Sequence, residues 1–87
     1  MIQNKRSETA TVRDDNTKRR LGEVVRNLRL ELGLSQQQLS DRCGLARPYI
    51  GIIERGEKAM TIETAARIAE GLGVKLSVIF SRMESMD

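Results

Sequence analysis

The side chains of this 87-residue chain best placed to do chemistry are donors and cations, not acids, bases or nucleophiles. They gather in the stretch QQQLSDRCGLARPYIGIIER, which supplies Gln36, Arg47, Tyr49 and Arg55, with Lys58 just beyond. The Arg47 guanidinium offers two parallel N–H donors, which fit a pair of phosphate oxygens or the O6 and N7 acceptors of guanine. Gln36 follows Ser35, a candidate helix N-cap, and unpaired backbone N–H groups at such an end favour an anion; a plain solvated residue is the alternative. Pro48 and Ile52 donate nothing through their side chains but could pack on a thymine methyl, Ile52 equally in a core beside Ile53. The Tyr49 hydroxyl suits a phosphate, or the ring suits partial burial against the following helix. Arg55 and Lys58 supply charge for a phosphate backbone.

Other chemistries lack their residues. The chain has no histidine and a single cysteine, Cys43, so histidine-based catalysis, zinc-finger ligation and an internal disulfide are excluded. No Gly-rich phosphate loop is present, and an enzyme is not expected. Cys43 falls on an inward helix face and reads as core; Arg42 beside it is the weak argument for a reactive thiol. No apolar run reaches membrane-span length, and no hydrophobic leader is visible at the start, so a cytoplasmic protein without cofactors is expected. Fifteen Lys and Arg against twelve Asp and Glu give a net charge of +3, which supports a nucleic-acid partner without requiring one.

The elements that must position these groups read as helices throughout. Residues 1–16 are polar and without period, a flexible arm in which Lys5, Arg6 and Arg13 could touch phosphates. Leu21, Val24, Val25, Leu28 and Leu32 form one apolar stripe, predicting a helix over Thr17–Leu32 that stops at Gly33. Lys18, Arg19 and Arg20 crowd its first turn, where the helix dipole disfavours cations; a phosphate partner or a solvated face would account for them. Ser35 and Gln38 make a capping box for a helix ending at Cys43, Gly44 supplies a turn, and Leu45 plugs the gap between helices. Pro48 sits in the first turn of a third helix, Arg47–Arg55, with Ile50 and Ile53 inward and Gly56 as its stop. Thr61 caps a fourth, Ile62–Leu72, expected to bury Ile62, Ala65, Ala66, Ile68, Ala69 and Leu72. A fifth runs from Leu76 to about Arg82. Leu76, Ile79, Phe80 and Met83 exceed what one short helix need bury, which suggests a dimer interface, or else closure of the monomer's own core. Two short helices around a Gly turn are the helix-turn-helix pattern, whose second helix can enter the DNA major groove. One domain over residues 17–83, with 84–87 as a tail, is expected.

LRLELGLSQQQLSDRCGLARPYIGIIERG, followed by TIETAARIAEGLGVKLSVIF, resembles the Cro-repressor (XRE) family, which includes lambda-type phage repressors, restriction-modification controller proteins and many antitoxins. The resemblance covers about Leu21 to Phe80 and rests on the "GLSQ" start, the Gly-Leu turn, the "IERG" exit and the "LGV" joint. It implies an all-α, five-helix lambda-repressor-like domain that binds double-stranded DNA, usually as a homodimer. On that pattern Gln36 meets a phosphate, Arg47 and Pro48 reach base edges with Gly51 and Ile52 one turn on, and Arg55, Gly56 and Lys58 grip the backbone. Arg29 and Glu54 occupy positions of a partly buried ion pair, for which a weak surface pair is the alternative. Three departures stand out. Ala46 replaces a hydroxyl N-cap, Ser40 replaces an alanine at a tight helix contact, and Gly51 replaces a serine. The function implied is that of a homodimeric regulator, a repressor or controller protein, at a pseudo-palindromic operator, without a small-molecule effector. A toxin-binding antitoxin built on the same domain is the alternative.

Overall fold

A computed structural model describes residues 15–86; the arm with Lys5, Arg6 and Arg13 lies outside the described residues. Five helices follow one another: α1 Asp15–Glu31, α2 Gln36–Cys43, α3 Arg47–Glu54, α4 Ile62–Leu72 and α5 Leu76–Ser85. No strand occurs among the described residues.

Local chemistry accounts for most of these boundaries. The Ser35 hydroxyl accepts from the Gln38 N–H at 3.0 Å, and the Gln38 side-chain oxygen accepts from the Ser35 N–H at 2.8 Å, closing a reciprocal cap on α2. Gly44 then takes φ 70°, a left-handed turn that costs a residue with a Cβ about 1–2 kcal/mol. Thr61 caps α4 by accepting from the Thr64 N–H at 3.1 Å. The α3 N-cap, Ala46, makes no side-chain cap bond. Ser40, fully buried, donates its hydroxyl to the Gln36 carbonyl at 2.9 Å, so the polar group at this tight contact is satisfied one turn back along its own helix.

α1 packs on α3 and α5, and α2 on α3 and α4. The core between them holds Val24, Val25, Leu28, Leu39, Cys43, Ile50, Ile53, Ile68, Ala69, Leu72 and Ile79. Cys43 is thus a core residue, and burial pushes its thiol pKa up, partly offset by the charge of Arg42. Four details of the sequence expectation change. α1 starts at Asp15 and ends at Glu31; Leu32 is half-exposed because the chain turns there toward Gly33, and Leu34 takes the packing position instead. Ile62, although in phase with the α4 stripe, is 67% exposed because it opens the helix beyond the core's edge, and Ala66 lies on the outer face. Arg55 is the C-cap of α3, not a helical residue. Ile79 has no exposed surface; it closes this chain's own core and offers nothing to a second copy, whereas Leu76, Phe80 and Met83 are half-buried around it.

Candidate nucleic-acid interface

The outer face of α3 and what surrounds it form the candidate interface. Ile50 and Ile53 anchor the helix inward. That leaves Arg47 and Pro48 exposed at its first turn and Arg55 exposed at its exit. The Arg47 guanidinium makes no hydrogen bond or ion pair among the described residues, so its donors face outward. Pro48 lies where a missing N–H breaks no helical bond. Ile52 is half-buried and does not join the residues packed on the core, whereas Tyr49, also half-buried, does.

Beneath this face lies a hydrogen-bonded cluster that ties three helices together. Arg29 of α1 donates from Nε to Glu54 Oε2 at 2.7 Å and from Nη2 to Glu54 Oε1 at 3.0 Å. Its Nη1 donates to the Leu34 carbonyl at 2.7 Å. The carboxylate holds the guanidinium pKa above its ordinary value, against the opposing effect of burial. Gln36, the first residue of α2, donates from Nε2 to Glu54 Oε1 at 3.0 Å. One of the two amide hydrogens is thereby committed and the other remains for an outside acceptor. Glu54 therefore positions Gln36 relative to α3, a link that no periodicity or capping rule reveals.

Gly51 does not lie open on the outer face. It is buried under two side chains: a Cβ there would meet Arg55 Nη1 at 3.2 Å and Gln36 Oε1 at 3.5 Å. The absence of a side chain lets Gln36 and Arg55 converge over the middle of α3, and its contribution to any ligand contact is backbone or indirect. Arg55 is also held by Glu57, donating from Nε at 2.8 Å and from Nη2 at 3.3 Å. This exposed pair raises the Arg55 pKa and lowers that of Glu57. Lys58 is exposed in the following loop. Leu76, Phe80 and Met83 belong to α5, which packs on α1 and α4.

Among the described residues no group of three or more His, Cys, Asp and Glu could hold a metal ion, and no helix is long and apolar enough to cross a membrane. Every buried side-chain nitrogen and oxygen among them has a partner.

Comparison with known proteins gives concordant results. A family model described as helix-turn-helix matches residues 25–79. Control protein C.SmaI of Serratia marcescens is 39% identical over 62 residues, covering 71% of this chain and 74% of that one. Control protein C.BamHI of Bacillus amyloliquefaciens is 36% identical over 62 residues, covering 70% and 76%. The crystal structure of the wild-type restriction-modification controller protein C.Esp1396I superimposes with a TM-score of 0.73 at 32% identity, covering 78% of this chain and 88% of that one. With an uncapped, outward-facing α3 held by the Arg29–Glu54–Gln36 cluster, and with these matches, the chain belongs to the XRE-type helix-turn-helix family of DNA-binding transcription regulators.

Proposed function

We propose that this regulator works as a homodimeric repressor or controller protein in the cytoplasm, occupying a pseudo-palindromic operator through the major groove, with no catalytic step, no cofactor and no small-molecule effector. The observation that carries the reading is the exposure of Arg47 and Pro48 on a helix that Ile50 and Ile53 lock inward. Arg47 reads a base edge by a bidentate bond, with Pro48 and Ile52 supplying apolar contact. Gln36, steered by Glu54, gives its free amide hydrogen to a phosphate; Arg55 and Lys58 grip the same strand once Arg55 exchanges Glu57 for a phosphate oxygen. Tyr49, packed on the core, reaches the backbone only through its hydroxyl. The control-protein names of the relatives favour the controller role. Leu76, Phe80 and Met83 provide the dimer surface, which would set two α3 helices about 34 Å apart, one turn of DNA.

Selection from random duplexes with the wild type and with Arg47→Ala tests the base contact. The expected result is a pair of symmetric guanine positions preferred by the wild type and relaxed in the variant, at about 1–3 kcal/mol per contact. An unchanged preference would reject Arg47 as a base reader. Sedimentation of the wild type and of Phe80→Glu tests the dimer; a wild type that remains monomeric at the concentrations where it binds DNA would reject it.

A further inference from the structure

We propose that the first turns of α1 form an additional phosphate contact, donated by Arg19, at the edge of the groove that α3 occupies. The inference rests on the reading that α3 enters the groove. Its starting point is that α1 begins at Asp15, whereas the family match begins at residue 25. The residues between form the first part of α1, about 15 Å long at 1.5 Å per residue.

This extension is docked against the exit of α3. A Cβ on Gly22 would overlap the Ile53 carbonyl oxygen and come within 2.9 Å of that of Glu54. Gly56, at φ +72°, would carry a Cβ 2.8 Å from the Arg19 Cα and 3.3 Å from its Cβ. Two glycines, one on each partner, thus allow the α1 backbone to lie on the loop that leaves α3. Arg19 is one turn before Gly22 and shares its face, so its side chain springs from the contact itself.

Charge converges at the same place. Arg19 and Lys58 are exposed, and the Arg55 side chain is 59% exposed, so three cations from two parts of the sequence surround Gly56. Glu57 is the acid bonded within this group, and it engages Arg55. The Arg19 Nη2 donates to the side-chain oxygen of Asn16, a neutral partner that orients the guanidinium without cancelling its charge. Among the described residues no carboxylate pairs with Arg19, which leaves its other donors for an anion.

The partner follows from geometry. The eight residues of α3 span about 12 Å, close to the roughly 12 Å width of the major groove. With Arg47 at the bases, the exit of α3 therefore lies near the groove's lip, where phosphates run. A guanidinium fork there matches two phosphate oxygens.

The test compares wild type, Arg19→Gln and Arg82→Gln, binding both a selected duplex and an unrelated one, between 50 and 200 mM salt by fluorescence anisotropy. Arg82 serves as the control for loss of one positive charge, since it sits on α5 bonded to Glu31 at the other end of α1. Arg19→Gln is expected to flatten the log K against log salt slope by about 0.9 per protomer, weaken both duplexes by similar factors and leave base preference unchanged. A slope equal to the wild type's, or changed no more than by Arg82→Gln, would overturn the proposal. If Arg47→Ala still relaxes base preference in that case, the reading of α3 stands and the Arg19 contact alone falls. A wild type without salt-dependent affinity for either duplex removes both.

Discussion

Removing the Glu54 carboxylate should be among the most damaging single changes available in this domain. The Arg29 and Glu54 side chains are only 9% and 3% exposed, and the pair is bidentate. In Glu54→Ala the guanidinium keeps only the Leu34 carbonyl, and Gln36 loses its acceptor. Breaking a buried pair from one side typically costs about 3–5 kcal/mol, because a charge is left without compensation. A small domain has a total stability of about 5–15 kcal/mol, so the loss is a large share of it. At about 4–8 °C per kcal/mol for a domain of this size, Tm should fall by at least about 12 °C. Urea denaturation followed by circular dichroism measures the change directly. Glu54→Gln should fall between wild type and Glu54→Ala, since one acceptor oxygen survives while an amide donor faces the guanidinium. The double variant Arg29→Met with Glu54→Met should be less destabilised than the worse single variant, because no charge is stranded. A loss below about 1 kcal/mol in Glu54→Ala would refute the reasoning and place the pair with ordinary surface bridges.

Three further outcomes follow from the same packing. Gly22→Ala should destabilise by more than the roughly 1 kcal/mol that helix propensity returns, because the new methyl meets backbone oxygens of α3 that cannot step aside; a denaturation midpoint at or above the wild type's would contradict this. Gly71→Ala should cost about 1–3 kcal/mol, since its methyl would lie 2.6 Å from the Cys43 sulfur, and in a double-mutant cycle Cys43→Ala should recover part of that cost; strict additivity would show that the two do not touch. Burial keeps the Cys43 thiol neutral, so the unfolded chain ionises first as pH rises. The associated stability is complete below the ordinary thiol pKa of about 8.5 and is lost as pH rises through the folded thiol's higher value. Wild type should therefore lose stability more steeply than Cys43→Ala above that pH, and parallel pH profiles would count against a buried neutral thiol.

Much of the fold was legible in the chain because its signals are local. Ser35 with Gln38, Gly44 after Cys43, and Thr61 before Ile62 each mark a boundary within three or four residues, and the structure puts those helix ends where these residues stand. The uncapped start of α3 could likewise be read from Ala46 alone. The polar candidates were legible as types: an arginine and a proline opening a helix, a glutamine after an N-cap, cations at an exit. Gly22 also left a trace, as an isolated glycine inside an amphipathic helix, where it costs about 1 kcal/mol against alanine. Its partner could not be named from α1 itself.

Sequence alone determined the helix count, the turn chemistry and the residue types at the interface, since capping, left-handed turns and apolar period act over a few neighbouring residues. Tertiary structure decided the rest, because burial and bonding across helices depend on groups far apart in the chain. The 3.6-residue period placed Ile62 and Ile79 equally well on inward stripes, yet only Ile79 has neighbours to cover it. Gly51 belongs to the α3 face by position, but Gln36 and Arg55 arrive from two sides to bury it. That Arg19 meets the exit of α3 was settled by the approach of Gly56 to it, a contact that exists only once α1 and α3 have packed.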